Sequence, residues 1–165
     1  MPIRPYTPSD LAALHAINVA GEPGVGPVSQ DELDAILAEG TCFVSVDAGA
    51  EPDGFILLVA PGADYHSPNF RWFEERLLSG TEPDFIYVDR IAIAASAQGE
   101  GLGAALYETA FDAFKGKTGA ITCEVNTLPP NPGSIRFHER LGFKPVGEQV
   151  FTPGEKAVVY LERVL

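Results

Sequence analysis

The sequence predicts an α/β (α+β) fold, a single domain over residues 1–165 in which seven strands form one sheet flanked by helices. Three observations predict it. Residues 88–107 pass from β-branched and apolar residues through glycines into an apolar stripe at helical spacing (Leu102, Ala105, Leu106, Thr109, Ala110, Ala113), which is a strand–turn–helix. Runs of strand residues at 41–47 and 54–60 flank a turn of Asp, Gly, Glu and Pro, the pattern of an antiparallel hairpin. Finally, 165 residues with 45% hydrophobic content sit within one domain and can bury a real core.

The elements follow in order. Residues 3–6 read as a short first strand, and Thr7-Pro8-Ser9-Asp10 starts a helix ahead of Leu11, Leu14, Ile17 and Asn18 that ends near Gly21. The Gly- and Pro-rich run 21–27 is irregular, after which Ser29 and Glu32 form a capping box for a second helix to about residue 38. After the hairpin, Ser67 reads as a cap and Pro68 as a first helical residue, so an inserted helix is expected over 68–78. The central strand, 85–93, places Tyr87, Asp89, Ile91 and Ile93 on one face by its period of two. Asp89 and Arg90 are charges in an otherwise apolar strand, and burial of an unpaired charge is costly, so each has an ionic partner or lines a wet cavity. A helix over 101–114 leads through Lys117-Thr118-Gly119 into a strand at 120–126. Its alternation puts Thr122, Glu124 and Asn126 on one face and Ile121, Cys123 and Val125 on the other. A last helix stops at Gly142, suited to a left-handed conformation, and strands at 143–151 and 156–164 close the sheet.

Between the central strand and its helix lies Gln98-Gly99-Glu100-Gly101-Leu102-Gly103. Three glycines allow a sharp turn, and a row of amide N–H groups at a helix N-terminus forms a concavity suited to phosphate. A P-loop requires Lys and Ser/Thr directly after the last glycine, where this chain has Ala104-Ala105. A dinucleotide fingerprint requires a different glycine spacing and an acidic residue about 20 positions on, and both are missing. The Q-x-x-G-x-G pattern resembles the pyrophosphate loop of the GNAT superfamily, the acetyl-CoA-dependent N-acetyltransferases. A second stretch, Asn131-Pro132-Gly133-Ser134-Ile135-Arg136-Phe137-His138-Glu139-Arg140-Leu141-Gly142-Phe143, is similar to that family's later motif, an Asn, then a helix, then a closing L-G-F. The matches cover residues 88–143; the N-terminal third and residues 61–83 carry no family signature.

The resemblance implies a mixed, mostly antiparallel sheet and acetyl-CoA as co-substrate, with no metal. It puts the pyrophosphate on the amides of Gly99, Gly101, Leu102, Gly103 and Ala104, within a loop that includes Gln98 and Glu100. The position of Glu100 is often basic in the family. The pantetheine arm would run beside Ile91, Ala92 and Ile93, with Asn131, Ser134, Phe137 and His138 completing the coenzyme's surroundings. For chemistry, it implies Glu124 as general base acting through water, with Asp89 the second candidate. The connection 127–130 is longer than the commonest family spacing. His138 stands where the family often has a Tyr that protonates the leaving thiolate; it is either that acid or a structural residue, and Tyr87 is the alternative acid. The pair of N-terminal helices would wall the acceptor site. Aromatic residues of the insertion, Tyr65, Phe70 and Trp72, either line an acceptor pocket or pack a lid onto the sheet.

The function so implied is acetyl transfer to a primary amine of a small molecule or peptide. A non-catalytic acyl-CoA-binding or sensor module is the alternative, and a nucleotide phosphotransferase lacks the Lys and metal partners it needs. A net charge of −12 repels nucleic-acid phosphates and anionic lipid, so neither partner is expected. No apolar run approaches the roughly 20 residues that cross a bilayer, and MPIRPYTPSD has no signal-peptide apolar region. Cys42 and Cys123 each fall in an apolar strand without CxxC spacing, so reduced thiols and a cytoplasmic address are expected. A homodimer is compatible with the fold, though no residue pattern requires it.

Overall fold

The computed structural model describes residues 2–80 and 82–165. Its strands are β1 (Ile3–Pro5), β2 (Thr41–Val46), β3 (Pro52–Val59), β4 (Phe85–Ile93), β5 (Ala120–Leu128), β6 (Lys144–Thr152) and β7 (Lys156–Val164). Its helices are α1 (Leu11–Gly21), α2 (Gln30–Glu39), α3 (Pro68–Leu78), α4 (Leu102–Phe114) and α5 (Pro132–Arg140). Hydrogen-bonded neighbours in the sheet run β1-β2-β3-β4-β5-β7-β6. Directions are mixed: β1–β2, β2–β3, β5–β7 and β6–β7 are antiparallel, and β4–β5 is parallel. Two compact units divide the chain, Met1–Tyr65 with Val88–Phe114 and His66–Tyr87 with Lys115–Leu165, so β4 contributes to both.

In the first unit, α1 and α2 bury Leu14, Ile17, Leu33 and Leu37 against Cys42 and Val44 of β2 and Phe55, Leu57 and Ala92 of β3 and β4. The spacing of those helix residues explains why one stripe suffices. Ser29 caps α2 as its sequence requires, accepting from Glu32 N at 3.1 Å while Glu32 Oε1 accepts from Ser29 N at 3.2 Å. β3 is buried from Gly54 to Val59 on both faces, because α4 packs on β2 and β3 as well. Its continuous apolar run, without alternation, is the sequence counterpart of that double burial. Gly54 is required there: a Cβ would lie 2.9 Å from Ser45 Oγ, 3.0 Å from Ile93 Cδ1 and 3.2 Å from Leu102 Cδ2. α4 departs from the expected stripe. Tyr107 and Phe111, whose rings sit 5.8 Å apart, are buried with Leu102, Leu106 and Ala110, while Ala105, Thr109 and Ala113 are only partly covered. Burial favours the larger apolar surfaces, and this turns the helix toward its aromatic residues.

In the second unit, β5 runs antiparallel to β7 with Glu124 opposite Tyr160, and it pairs in parallel with β4 over Phe85–Tyr87. β5 extends two residues beyond its expected end because the register shifts between Asn126 and Leu128, a bulge that interrupts the alternation. The inserted helix α3 has the expected bounds. Ser67 Oγ accepts from Phe70 N, and Phe70 and Phe73 are 1% exposed. Phe70 meets Phe85 and Tyr87 edge-on, with centroids 5.9 and 5.6 Å apart, and Phe73 meets Tyr160 at 5.3 Å. Arg76 pins the helix further, at 2.7 Å from Glu82 and 2.5 Å from Glu162.

Candidate active site

The loop ahead of α4 begins with a 3₁₀ turn at Ala95–Ala97 that periodicity did not indicate. Gly99 and Gly101 then adopt φ of +80° and +78°, and a Cβ on either would meet nothing within 4 Å. These dihedrals favour glycine, and the space above them is open. The first α4 hydrogen bond runs from Ala105 N to Gly101 O, so the N–H groups of Leu102, Gly103 and Ala104 stand in the first turn without an intrahelical acceptor. Gln98 Nε2 reaches Ile93 O at 3.4 Å, tying the loop to the end of β4. Free N–H donors at a helix N-terminus of this kind are able to bind an anion.

On the same unit, Asp89 and Arg90 pair with each other, Arg90 Nε lying 2.6 Å from Asp89 Oδ2. The Tyr65 hydroxyl donates to Asp89 Oδ1, and Arg90 Nη1 donates to Asn18 Oδ1 at 2.9 Å and to Gly26 O at 3.1 Å. Asn18, fully buried, returns a bond from Nδ2 to Gly26 O at 3.1 Å. Of the two readings of Asp89, the ion pair is the one displayed. Its carboxylate is held by two donors, and through Arg90 the strand also holds the irregular run 21–27.

On the second unit, the Tyr87 hydroxyl donates to Glu124 Oε2. Tyr87 is 1% exposed, whereas Glu124 keeps partial access to solvent. Tyr160 faces Glu124 across the ladder, and burial, reinforced by the charge of Glu124, pushes its hydroxyl up to about 12. It stays protonated, 2.8 Å from Asn69 Oδ1 and 2.9 Å from Gln149 Oε1. A single O–H cannot donate to both, so one of those amides is turned to donate from its nitrogen.

In α5, Asn131 caps the helix by accepting from Ser134 N at 3.3 Å. His138 is 5% exposed, with Nδ1 2.7 Å from Ser134 O. A carbonyl only accepts, so Nδ1 carries the proton and Nε2 the lone pair. Burial lowers the pKa of this imidazole from its ordinary value, and the Ser134 bond offsets only part of the effect. The imidazolium expected of a proton donor is therefore disfavoured at neutral pH. Phe137 and Phe143 meet the ring edge-on at 5.2 and 5.3 Å.

The model of the acetyltransferase (GNAT) family matches residues 11–143. The chain belongs to the GNAT acetyltransferase family. Among solved structures, Ard1 from Thermoplasma volcanium is similar over 99% of this chain and 97% of its own, with TM-score 0.76 and 16% identity. NAA60 of Arabidopsis thaliana in complex with acetyl-CoA is similar over 99% and 98%, with TM-score 0.74 and 15% identity. The ribosomal-protein-alanine N-acetyltransferase of Brucella melitensis is similar over 100% of both chains, with TM-score 0.71 and 21% identity. No curated protein matches significantly. The seven-strand mixed sheet is thus the GNAT fold.

Within this GNAT chain, the expected loop residues and Ile91, Ala92 and Ile93 fall on the first unit. Tyr87, Glu124, Asn131, Ser134, Phe137 and His138 fall on the second. The three insertion aromatics divide their tasks: Phe70 packs on the sheet, Tyr65 binds Asp89, and Trp72 lines a pocket. That pocket, about 360 Å³, also takes in His66, Ser67, Arg71, Glu75 and Gln149. Sequence reasoning missed Tyr160, Asn69 and Gln149. They lie far apart in the chain, and only the β5–β7 register reveals that Tyr160 faces Glu124. Among the described residues no helix is long and apolar enough to span a membrane, and no three His, Cys, Asp or Glu form a metal-holding group.

Proposed function

We propose that this chain transfers the acetyl group of acetyl-CoA to a primary amine. The observation that carries the reading is the pair of left-handed glycines, Gly99 and Gly101, opening onto the unsatisfied first-turn amides of α4. In this reading Gly99, Gly101, Leu102, Gly103 and Ala104 hold the diphosphate through backbone N–H groups, so Glu100, which is exposed, need not contact it. Ile91, Ala92 and Ile93 of β4 flank the pantetheine arm. Asn131 uses its Oδ1 to cap α5 and offers its NH₂ group to the coenzyme.

Bound there, acetyl-CoA supplies an acetyl group already activated as a thioester. An ammonium ion has no lone pair, so the chain must first remove a proton from the acceptor, and Glu124 Oε2 or Oε1 takes it directly or through water. Tyr87 holds that carboxylate in place, and once Glu124 has taken the proton and no longer needs its donor, the Tyr87 O–H is the one left to give to a leaving thiolate. His138 does not take this part, because burial favours its neutral form and its one proton is bound to Ser134 O. Asp89 serves as a strut. We read the chain as cytoplasmic, in line with the buried Cys42 thiol, which burial first and Asp10 second push up to about 12. Similar folds include a ribosomal-protein-alanine N-acetyltransferase and a NatC complex bound to Gag peptide and CoA, so a peptide amine stands beside a small-molecule amine as acceptor class.

The test is thiol release. Purified protein is mixed with acetyl-CoA and a panel of primary amines, and free thiol is followed by a chromogenic disulfide. Release that requires an amine supports the reading. Tight coenzyme binding with no release across the panel makes the chain a binding module instead.

A further inference from the structure

We propose that the pocket beside α3 reads the α-amino acid head of an acceptor whose second primary amine, at the far end of its side chain, receives the acetyl group; this deepens the acetyltransferase reading and rests on it. Three features of the second unit lead there.

First, the wall is rigid. The Trp72 indole stacks on Tyr160 with centroids 4.2 Å apart and planes 17° apart. A Cβ on Gly147 would run into the benzo edge of the same indole, so β6 leaves a slot that fixes the ring. Second, the charges are arranged for a zwitterion. Arg71 and Glu75 lie one turn apart on α3, both are exposed, and both line the pocket. Their spacing permits an ion pair, yet among the described residues neither joins a salt bridge. A guanidinium for a carboxylate and a carboxylate for an ammonium are what an α-amino acid head requires. Ser67 adds a hydroxyl whose oxygen accepts from Phe70 N and whose proton remains to donate. Third, the pocket is linked to Glu124. Gln149 lines it and sits 2.9 Å from the Tyr160 hydroxyl, while the Tyr160 backbone faces Glu124. Tyr160 therefore stands between the head-group pocket and the proposed base, its hydroxyl on the Gln149 side and its backbone paired with Glu124, and the proposal requires the stem of lysine to pass beside it. In the reaction an N–C bond forms at the distal amine as the thioester C–S bond breaks. Of the two protons lost from the ammonium, one goes to Glu124 and on to solvent, and one to the thiolate.

Trp72 is the single tryptophan of the chain, so its fluorescence reports on this pocket alone. The holo-independent experiment titrates the protein, without coenzyme, with L-lysine, with 1,5-diaminopentane, which lacks the carboxylate, and with 6-aminohexanoate, which lacks the α-amine. Lysine is expected to bind at least about tenfold more tightly than either, the scale of one charge-assisted hydrogen bond. Arg71→Ala should erase the advantage over 1,5-diaminopentane, Arg71→Lys should retain most of it, and Glu75→Gln should erase the advantage over 6-aminohexanoate. Thiol release with acetyl-CoA should follow the same order, with acetyl on the side-chain nitrogen by mass spectrometry. Equal binding of all three probes, no fluorescence response, or variants that keep the ranking overturn the proposal. Release with other amines but no preference for lysine also overturns it and leaves the transferase reading standing. Selective lysine binding without release from any amine overturns the transferase reading and the acceptor role together, and the head-group selectivity alone survives.

Discussion

The Tyr87 hydroxyl donates to Glu124 Oε2, joining the last residue of β4 that pairs with β5 to a carboxylate in the middle of β5. This bond stabilises the ionised carboxylate, so removing it should raise the pKa of Glu124. A base works when deprotonated, and activity should therefore rise with pH through that pKa. Tyr87→Phe is expected to move the rising limb of the kcat/KM profile to higher pH, and Glu124→Gln to abolish the limb with at least about a tenfold loss of kcat. Two profiles that coincide with wild type would remove Glu124 from the chemistry.

Gly101 combines φ of +78° with open space above it. Val at this position incurs backbone strain of about 1–3 kcal/mol and projects into the concavity that would hold the diphosphate. Coenzyme affinity, measured by calorimetry, should fall at least tenfold, on the scale of roughly 1.4 kcal/mol. Gly154, with φ of +76° and likewise nothing within 4 Å, provides the control. Gly154→Val should lower stability comparably and leave coenzyme affinity unchanged.

Gly147 makes room for the Trp72 indole. Gly147→Ala should destabilise the fold by about 1–3 kcal/mol in urea unfolding, since the ring must move off Tyr160. The emission maximum of the single tryptophan should shift as it does so. An unchanged spectrum and midpoint would mean that the ring relaxes without cost.

Asp10 accepts two bonds from Arg4 at 2.8 Å and one from Thr7 N at 2.9 Å. The Arg4 guanidinium, with Thr7 assisting against the opposing effect of burial, holds this carboxyl at about 2, below the ordinary 3.8. Because the folded pKa is depressed, the stabilisation is present above pH 4 and is lost as pH falls toward 2. Arg4 is 38% exposed at its side chain, which screens the pair, so Asp10→Asn should lose on the order of 1 kcal/mol at pH 7 and almost none at pH 2. Equal losses at both pH values would show that the contact acts through packing.

His138 should titrate below its ordinary 6.5, because burial disfavours the imidazolium. Its stabilising contribution is complete above that value and declines as pH falls through the window down to the folded pKa. Carbon-detected NMR of the ring should show a midpoint below 6.5 and a proton on Nδ1. A midpoint above 7 would restore His138 as a proton donor.

Much of the fold could be read locally. The inserted helix α3 has the expected bounds because Ser67, Pro68 and the apolar spacing of residues 70–78 are cues within a single turn or two of chain. α2 is legible for the same reason, through the Ser29–Glu32 box. The buried face of α4 was not, since whether Tyr107 and Phe111 or the alanines turn inward depends on the volume that β2 and β3 leave. The shape of the glycine loop was legible because both the left-handed turns and the orphan amides belong to contiguous residues. Asp89 and Arg90 were legible as a problem without an answer. Their solution lies in Asn18, Gly26 and Tyr65, which are remote in the chain.

By itself, then, the order of residues determined where this chain forms strands, helices and its glycine turn, because those depend on backbone preferences and on contacts within about one helical turn. Tertiary structure alone decided which group meets which: Tyr87 on Glu124, Tyr160 facing it, Gln149 beside Trp72. Strand register and the packing of α3 bring those groups together, and both are settled by burial across long stretches of chain, which local sequence does not encode.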